Sequence, residues 1–132
     1  PPVVGGTETI LLGEDDLFVR QWIITVLAQA GYRVIEACNG EELVALFQQN
    51  PTVDMVLLDV VMPKKNGREA MDAMKKIHPA VKSLFMSGYT ADIIHHKGIL
   101  DHSVNFISKP LTQEALLRKV REVLDQKAPP SH

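Results

Sequence analysis

Acidic side chains follow two apolar runs of this chain, and they are the residues best placed to do chemistry. Asp59 follows the apolar run 55–58, and Glu14 and Asp15 follow the run 10–13. An acid at the end of a buried strand gains little from packing, which favours a chemical role. If both runs are parallel strands of one sheet, their carboxyl ends meet at the edge where open α/β sheets bind ligands. The sequence therefore predicts that these three carboxylates lie together.

Such an acidic cluster calls for a cation. Carboxylates at close range repel one another, and the repulsion raises their proton affinities unless a cation intervenes. Oxygen-only ligands favour a hard ion, and a site with few carboxylates plus water favours Mg²⁺ over Ca²⁺. Such an ion can also neutralise an incoming phosphoryl group, so that a carboxylate attacks as a nucleophile and forms an acyl phosphate.

Two further polar groups are predicted at the same edge of the sheet. Lys109 and Pro110 follow the fifth apolar run, so an ammonium group is available to pair with Asp59 or with a phosphoryl oxygen. Ser87 and Gly88 follow the fourth run and supply a hydroxyl beside a residue that leaves space for an approaching oxygen.

Short apolar runs alternate with helical patterns along the chain. The strand candidates are residues 9–13, 32–37, 54–58, 82–86 and 105–108. The helical patterns cover about residues 17–30, 40–49, 68–77, 91–97 and 113–124. Asp16, Asn39 and Thr112 are the expected N-caps, with metal contact as an alternative role for Asp16. Phe18 and Trp22 are expected to pack in the core.

Five strands alternating with five helices predict parallel strands joined by right-handed crossovers. We expect an α/β fold with a doubly wound five-stranded parallel sheet, strand order 2-1-3-4-5, in a flavodoxin-like three-layer sandwich. This order places the strand that ends at Gly13 beside the strand that ends at Leu58. Glu14, Asp15 and Asp59 then meet at the switch point of the sheet.

Composition limits the classes of function. Hydrophobic residues make up 45% of the 132 residues and charged residues 23%, values typical of one globular domain. The net charge of −2 gives no electrostatic reason to expect nucleic acid as a partner. No apolar stretch approaches the roughly 20 residues that span a bilayer, so we expect no membrane insertion and a cytoplasmic location. Residues 1–8 are predicted as a linker, 9–125 as the domain and 126–132 as a flexible tail.

The span from residue 9 to about residue 125 resembles a response-regulator receiver domain of two-component signalling. The resemblance rests on residues that end their proper strands or follow them directly, namely Glu14-Asp15, Asp59 with Pro63 and Gly67, Ser87-Gly88, Phe106 and Lys109-Pro110. It implies that Asp59 accepts a phosphoryl group from a phosphohistidine of a histidine kinase or a histidine phosphotransfer domain. The domain would thereby assist its own phosphotransfer and dephosphorylation.

The resemblance also implies the roles of the surrounding residues. Asp15 and Asp59, with the backbone carbonyl of Val61, would hold Mg²⁺, and Glu14 would act directly or through water. Lys109 would contact the phosphoryl group. Glu14 stands where Asp is more usual in the family, which makes its direct ligation the open point.

Two residues are implied as the switch. Ser87 would hydrogen-bond the phosphoryl group and draw the following loop inward, and Phe106 would change rotamer and reshape the surface of the fourth helix and fifth strand. Ser87 replaces the family's Thr and keeps the hydroxyl. Phe106 replaces the frequent Tyr and lacks the hydroxyl.

The segments 6–12 and 84–90 resemble receivers at the C-terminus of bacterial hybrid sensor histidine kinases, so a hybrid kinase is the expected parent protein. A stand-alone or truncated response regulator and a receiver-like scaffold that binds without phosphorylation are the alternatives. A membrane-anchored parent and a homodimer are left open. An aspartyl-phosphate hydrolase is disfavoured because Val61 stands where such enzymes carry a second acid.

Overall fold

A computed structural model describes residues 5–88 and 105–126. These residues form five strands and four helices, in the order β1 (Thr9–Gly13), α1 (Leu17–Gln29), β2 (Arg33–Ala37), α2 (Gly40–Gln49), β3 (Met55–Asp59), α3 (Gly67–Ile77), β4 (Ser83–Ser87), β5 (Phe106–Ser108) and α4 (Gln113–Leu124). Strands β3 and β4 begin and end one residue later than the sequence predicts. The predicted helix at 91–97 lies outside the described residues.

The five strands form one parallel sheet in the order β2-β1-β3-β4-β5. This confirms the predicted doubly wound α/β fold. The register aligns the carboxyl ends of the strands, because Gly13 pairs with both Ala37 and Leu58, and Ser87 pairs with Ser108. Residues that follow these strands therefore emerge at one edge of the sheet.

Alternating side chains of the strands pack against helices on both faces of the sheet. One core joins Leu11, Val56 and Phe85 to α2 and α3, and the other joins Leu12 and Leu57 to α1 and α4. Strands covered on both faces read as continuous apolar runs, which is the pattern the sequence shows at β1 and β3. None of the helices in the described ranges is long and apolar enough to cross a membrane.

Side chains cap the helices at their first turns. The side-chain oxygens of Asp16, Asn39 and Thr112 accept hydrogen bonds from backbone amides of α1, α2 and α4 at 3.0, 2.8 and 3.1 Å. These three caps confirm the sequence prediction. Asn66 caps α3 and forms a reciprocal capping box with Glu69. The sequence carries that signal as Asn-x-x-Glu, which the sequence analysis did not use.

The expected core packing of Phe18 and Trp22 is wrong. Phe18 is 84% exposed and Trp22 is 38% exposed, whereas Ile23, Val26 and Leu27 form the buried face of α1. Residues four apart drift about 40° round a helix at each step, so the row that starts at Phe18 reaches the buried face only near Val26. Because α1 carries apolar residues on more than one side, its sequence pattern does not show which side is buried.

The segment before β1 is held against the domain. The backbone amide of Gly6 donates a hydrogen bond to the carbonyl of Ala30 at 3.1 Å. Arg121 of α4 donates two hydrogen bonds to the Glu8 carboxylate at 2.6 and 3.1 Å, and it also pairs with Asp125. The hydrogen bond from Arg121 lowers the pKa of Glu8. Residues 5–8, predicted as linker, thus contain no helix or strand but are tied to α1 and α4.

Gly67 allows α3 to begin directly against the end of β3. A Cβ at Gly67 would lie 2.4 Å from the Asp59 carbonyl oxygen and 3.0 Å from the Val60 Cα, and these backbone atoms cannot rotate away. We expect Gly67→Ala to lower the free energy of unfolding by about 1–3 kcal/mol, since overpacking outweighs the gain in helix propensity. Urea unfolding measures the change.

The matched control is Gly88→Ala, because a Cβ at Gly88 meets no atom of the described residues within 4 Å. Its stability should stay within about 0.5 kcal/mol of the wild type. Equal stability of the two variants would contradict the steric argument.

Candidate functional site

Three carboxylates lie together at the carboxyl edge of the sheet, and we call them the acidic cluster: Glu14, Asp15 and Asp59. One oxygen of each lies within 4.8 Å of the others. Glu14 is 1% exposed and Asp59 is 7% exposed, whereas Asp15 faces solvent. Glu14 and Asp15 follow β1 directly, and Asp59 is the last residue of β3. The adjacency of β1 and β3 in the sheet is what brings them together.

The ammonium group of Lys109 bridges two members of the acidic cluster. Its Nζ lies 2.7 Å from Glu14 Oε1 and 2.5 Å from Asp59 Oδ2. The backbone positions this side chain, because the Lys109 amide donates a hydrogen bond to the Ser87 carbonyl at 2.7 Å just after β5. The Lys109–Pro110 peptide bond is cis. Strands β3, β4 and β5 therefore jointly hold Lys109 over Asp59.

The second oxygen of Asp59 faces the turn that follows β3. The backbone amide of Val61 donates a hydrogen bond to Asp59 Oδ1 at 3.0 Å. The preceding amide, of Val60, donates to the Met86 carbonyl of β4 at 3.0 Å and so keeps the turn in line with the sheet. Both oxygens of Asp59 are thus engaged, one by a main-chain donor and one by Lys109.

Glu14 is the carboxyl most affected by its surroundings. Burial raises the pKa of Glu14 to about 7, and the negative charge of Asp59 adds to this effect. The hydrogen bonds from Lys109 and from the Asp16 amide, at 2.7 and 3.2 Å, oppose it. Burial by itself lowers the pKa of Lys109, but its hydrogen bonds to Asp59 and Glu14 outweigh burial and raise it. Lys109 is therefore positively charged at neutral pH.

The charges of the site leave a deficit that a divalent cation can fill. When all three carboxylates are ionised, the single ammonium of Lys109 leaves two negative charges uncompensated. The clustered donors are carboxylate oxygens, and exposed Asp15 opens the cluster to solvent. Hard divalent cations prefer such donors. The donor set and its charge therefore fit one divalent cation.

Ser87 and Phe106 lie on neighbouring strands beside this site. Ser87 is the buried last residue of β4, and its carbonyl accepts the hydrogen bond from Lys109 described above. Phe106 is the half-buried first residue of β5, in register with Phe85, and it packs against the core beneath α2 and α3. The predicted loop and helix that they would move lie outside the described residues, so the coupling stays a prediction.

Sequence reasoning missed one cationic residue at the site. The guanidinium of Arg20, on α1, donates hydrogen bonds from Nη1 to the carbonyl oxygens of Glu14 at 2.8 Å and Asp15 at 3.5 Å. A usable signal was present, because Arg20 is the only basic residue between 14 and 32. Side chains of a helix tilt towards its N-terminus, so a long cation at this position reaches back to the preceding turn.

An apolar groove adjoins the acidic cluster. It has a volume of about 580 Å³, and its lining combines exposed side chains of α1 with the segment after β5: Phe18, Val19, Trp22, Lys109, Pro110 and Leu111. Lys109 thus belongs both to the groove and to the acidic cluster. A molecule seated in this groove would contact Lys109, the residue that pairs with Asp59.

This chain belongs to the response regulator receiver domain family, whose model matches residues 10–121. It is 34% identical over 124 residues to the sensor kinase CckA of Brucella abortus (strain 2308), covering 93% of this chain and 13% of that protein. It is 30% identical to the response regulator receiver protein CpdR of the same organism, covering 87% of this chain and 95% of that protein.

A solved structure agrees with this assignment. The crystal structure of the receiver domain from the hybrid histidine kinase CckA matches with a TM-score of 0.76 and 29% identity, covering 89% of this chain and 99% of that chain. The present chain therefore spans a small part of a CckA-type kinase and nearly the whole length of CpdR.

Replacing Glu14 by Gln should change how stability depends on pH. The folded protein binds the Glu14 proton more tightly than the unfolded chain, since the pKa is raised from 4.5 to about 7. Stability from this group is therefore present below the unfolded pKa and is lost as the pH rises through the folded pKa. We expect the free energy of unfolding of Glu14→Gln, relative to wild type, to increase between about pH 5 and pH 7 and then level off.

Urea unfolding at a series of pH values, without divalent cations, measures this difference. Glu41→Gln, which alters an exposed carboxyl of α2, is the control. An equal increase in both variants would show that the buried carboxyl is not its source.

Proposed function

We propose that this domain is the phosphoacceptor module of a two-component phosphorelay, in which Asp59 receives a phosphoryl group from a phosphohistidine. The observation that carries the proposal is the placement of Lys109, whose ammonium contacts buried Asp59 inside a cluster where three carboxylates outnumber one ammonium. A surface acid that merely caps a helix would need neither burial nor a bridging cation.

Glu14, Asp15 and Asp59, with the backbone carbonyl of Val61, would hold Mg²⁺. When bound, Mg²⁺ would neutralise phosphoryl oxygens and lower the repulsion between Asp59 and the donor. The Asp59 carboxylate forms the new O–P bond as the N–P bond of the phosphohistidine breaks. The Val61 amide, 3.0 Å from Oδ1, orients the carboxylate, and Lys109 is near enough to pair with an oxygen of the transferred group.

Ser87 and Phe106 are the proposed switch. Ser87 ends the strand next to the one that ends at Asp59, so we expect its hydroxyl to bond a phosphoryl oxygen on that residue. Phe106 begins the adjoining strand at the rim of the core and would change rotamer in response, which would alter the surface formed by β5 and the predicted helix at 91–97. Phosphorylation would thereby bias a two-state element.

The apolar groove is the proposed seat of the phosphodonor. Phe18 exposes most of its ring on the groove, and Lys109 connects the groove to Asp59. A histidine kinase or histidine phosphotransfer domain that covers Phe18 and Trp22 would bring its phosphohistidine to the acidic cluster. Aromatic side chains supply much of the affinity of such interfaces.

The proposed parent is a bacterial hybrid sensor histidine kinase, with residues 9–125 as its receiver domain. The similarity to CckA supports this parent, and the chain spans 13% of that kinase. The alternative is a stand-alone response regulator, which the 95% coverage of CpdR favours. The two parents imply the same chemistry at Asp59.

Incubation with acetyl phosphate and Mg²⁺ tests the chemistry. We expect the wild type to gain one phosphoryl group that hydroxylamine removes, and we expect Asp59→Asn to gain none, because an amide is not a nucleophile of this kind. Intact-mass spectrometry measures the incorporation. Asp72→Asn, on the exposed side of α3, is the control and should react like the wild type. An unmodified wild type, or an Asp59→Asn variant that is still labelled, would refute the proposal.

Transfer from a protein donor tests the groove. We expect Phe18→Ala to slow phosphotransfer from a phosphorylated histidine phosphotransfer domain about tenfold, since an aromatic anchor contributes more than about 1 kcal/mol to docking. The loss should exceed any loss with acetyl phosphate, because the small donor needs no docking surface. Stopped-flow or quenched phosphotransfer assays measure both rates.

Ile77→Ala is the matched control, since Ile77 is 42% exposed at the end of α3 and outside the groove. An equal loss in both variants, or an equal loss with both donors, would contradict docking at the groove.

A further inference from the structure

We infer that Arg20 is a positioning residue for the acidic cluster: it fixes the turn between β1 and α1, and so sets where the Glu14 and Asp15 carboxylates lie. This inference rests on the proposed function, because positioning matters only if these carboxylates hold a cation. Three successive carbonyl oxygens of the turn accept hydrogen bonds from this one residue. Its Nη1 contacts those of Glu14 and Asp15, and its backbone amide contacts that of Asp16 at 2.9 Å.

The surroundings of Arg20 restrict its side chain, and we call its hydrogen bonds to the turn carbonyls the clamp. Its side chain is 12% exposed, so the guanidinium is largely removed from water. Its Nε lies 3.4 Å from Glu36 Oε1 on β2 but makes no hydrogen bond among the described residues. The Glu36 contact is therefore a charge pair without directional bonding, and the turn carbonyls are the directional partners of the guanidinium. Partial burial of an arginine is favourable only when such partners are present.

Among the described residues, few other hydrogen bonds hold the turn on this side. It contains the three residues 14–16, between the last residue of β1 and the first residue of α1. The Glu14 amide is bonded to the Ala37 carbonyl, and the Asp16 amide to the Glu14 side chain. The two carbonyls held by the Arg20 side chain precede the helix, so no α1 hydrogen bond engages them. Removing the guanidinium leaves the Glu14 and Asp15 carbonyls without these hydrogen bonds and so loosens the turn that carries the two carboxylates.

The positioning role of Arg20 and its positive charge predict opposite effects of its removal on cation binding. As a positive charge near the acidic cluster, Arg20 repels a cation, so its loss should strengthen binding. As a clamp, Arg20 preorganises the ligands, so its loss should weaken binding. Groups that orient metal ligands typically change metal affinity by about 10- to 100-fold when removed. The sign of the change therefore separates the two roles.

Titration calorimetry of the unphosphorylated domain with Mg²⁺ is the test. We expect Arg20→Gln to bind Mg²⁺ about tenfold more weakly than the wild type, and Arg20→Lys to be weakened as well, because Lys keeps the charge but lacks the planar fork of donors. In the absence of Mg²⁺, the backbone amide resonances of Asp15 and Asp16 should shift in both variants.

Two control variants separate the clamp from general effects of charge removal. Arg118→Gln removes a surface arginine of α4 that pairs with Glu114, and its Mg²⁺ affinity should stay within about twofold of the wild type. Glu36→Gln removes the charge pair and keeps the carbonyl contacts, so it should weaken binding less than Arg20→Gln.

Unchanged or tighter Mg²⁺ binding by Arg20→Gln overturns the inference, and tighter binding assigns Arg20 a purely electrostatic effect. If Arg20→Gln does not fold, Arg20→Lys decides in its place, and wild-type affinity in that variant overturns the clamp. A wild type that binds no Mg²⁺ and is not labelled by acetyl phosphate overturns the proposed function, and the inference falls with it. If the wild type binds Mg²⁺ and is labelled by acetyl phosphate, the proposed function stands, and the variants then test the role of Arg20 alone.

Discussion

The contact of one ammonium group with two buried carboxylates is the interaction on which the site depends. Without Lys109, Glu14 and Asp59 would face each other inside the protein, and burial already raises the pKa of Glu14 to about 7. The ammonium lowers that repulsion but leaves the cluster short of positive charge. Lys109 therefore balances part of the charge of the acidic cluster, and the remaining charge fits a divalent cation.

The sheet explains how four separate chain segments, at the ends of β1, β3, β4 and β5, hold this contact in place. Lys109, Ser87 and Asp59 end or follow neighbouring parallel strands, and the register of those strands fixes their spacing. Two apolar cores clamp the sheet from opposite faces, so the carboxyl edge cannot shift without repacking both. A signalling site of this kind needs a sheet edge that keeps its shape while the charge at the site changes.

The sequence predicted the features that depend on periodicity and strand ends. It did not predict which side of a helix faces the sheet or which backbone atoms a side chain reaches. Strand order and helix caps followed from apolar runs and cap residues. The exposure of Phe18 was not predicted, because α1 has apolar residues on several sides and the pattern does not say which side meets the sheet. The contacts of Arg20 were also missed, because its partners are main-chain oxygens and its one sequence signal is its place as the only basic residue between 14 and 32. The strand ends located the acidic cluster and the family resemblance implied its roles, but neither pointed to the exposure of Phe18 or to the contacts of Arg20.

The tie between Arg121 and Glu8 has a mechanical consequence. Glu8 precedes the amino end of β1, and the acidic cluster follows its carboxyl end at Glu14, roughly 20 Å away along an extended strand. The tie and the acidic cluster thus lie at opposite ends of β1. A displacement of residue 5 is opposed by the Arg121–Glu8 and Gly6–Ala30 hydrogen bonds, which join this segment to α4 and to the end of α1.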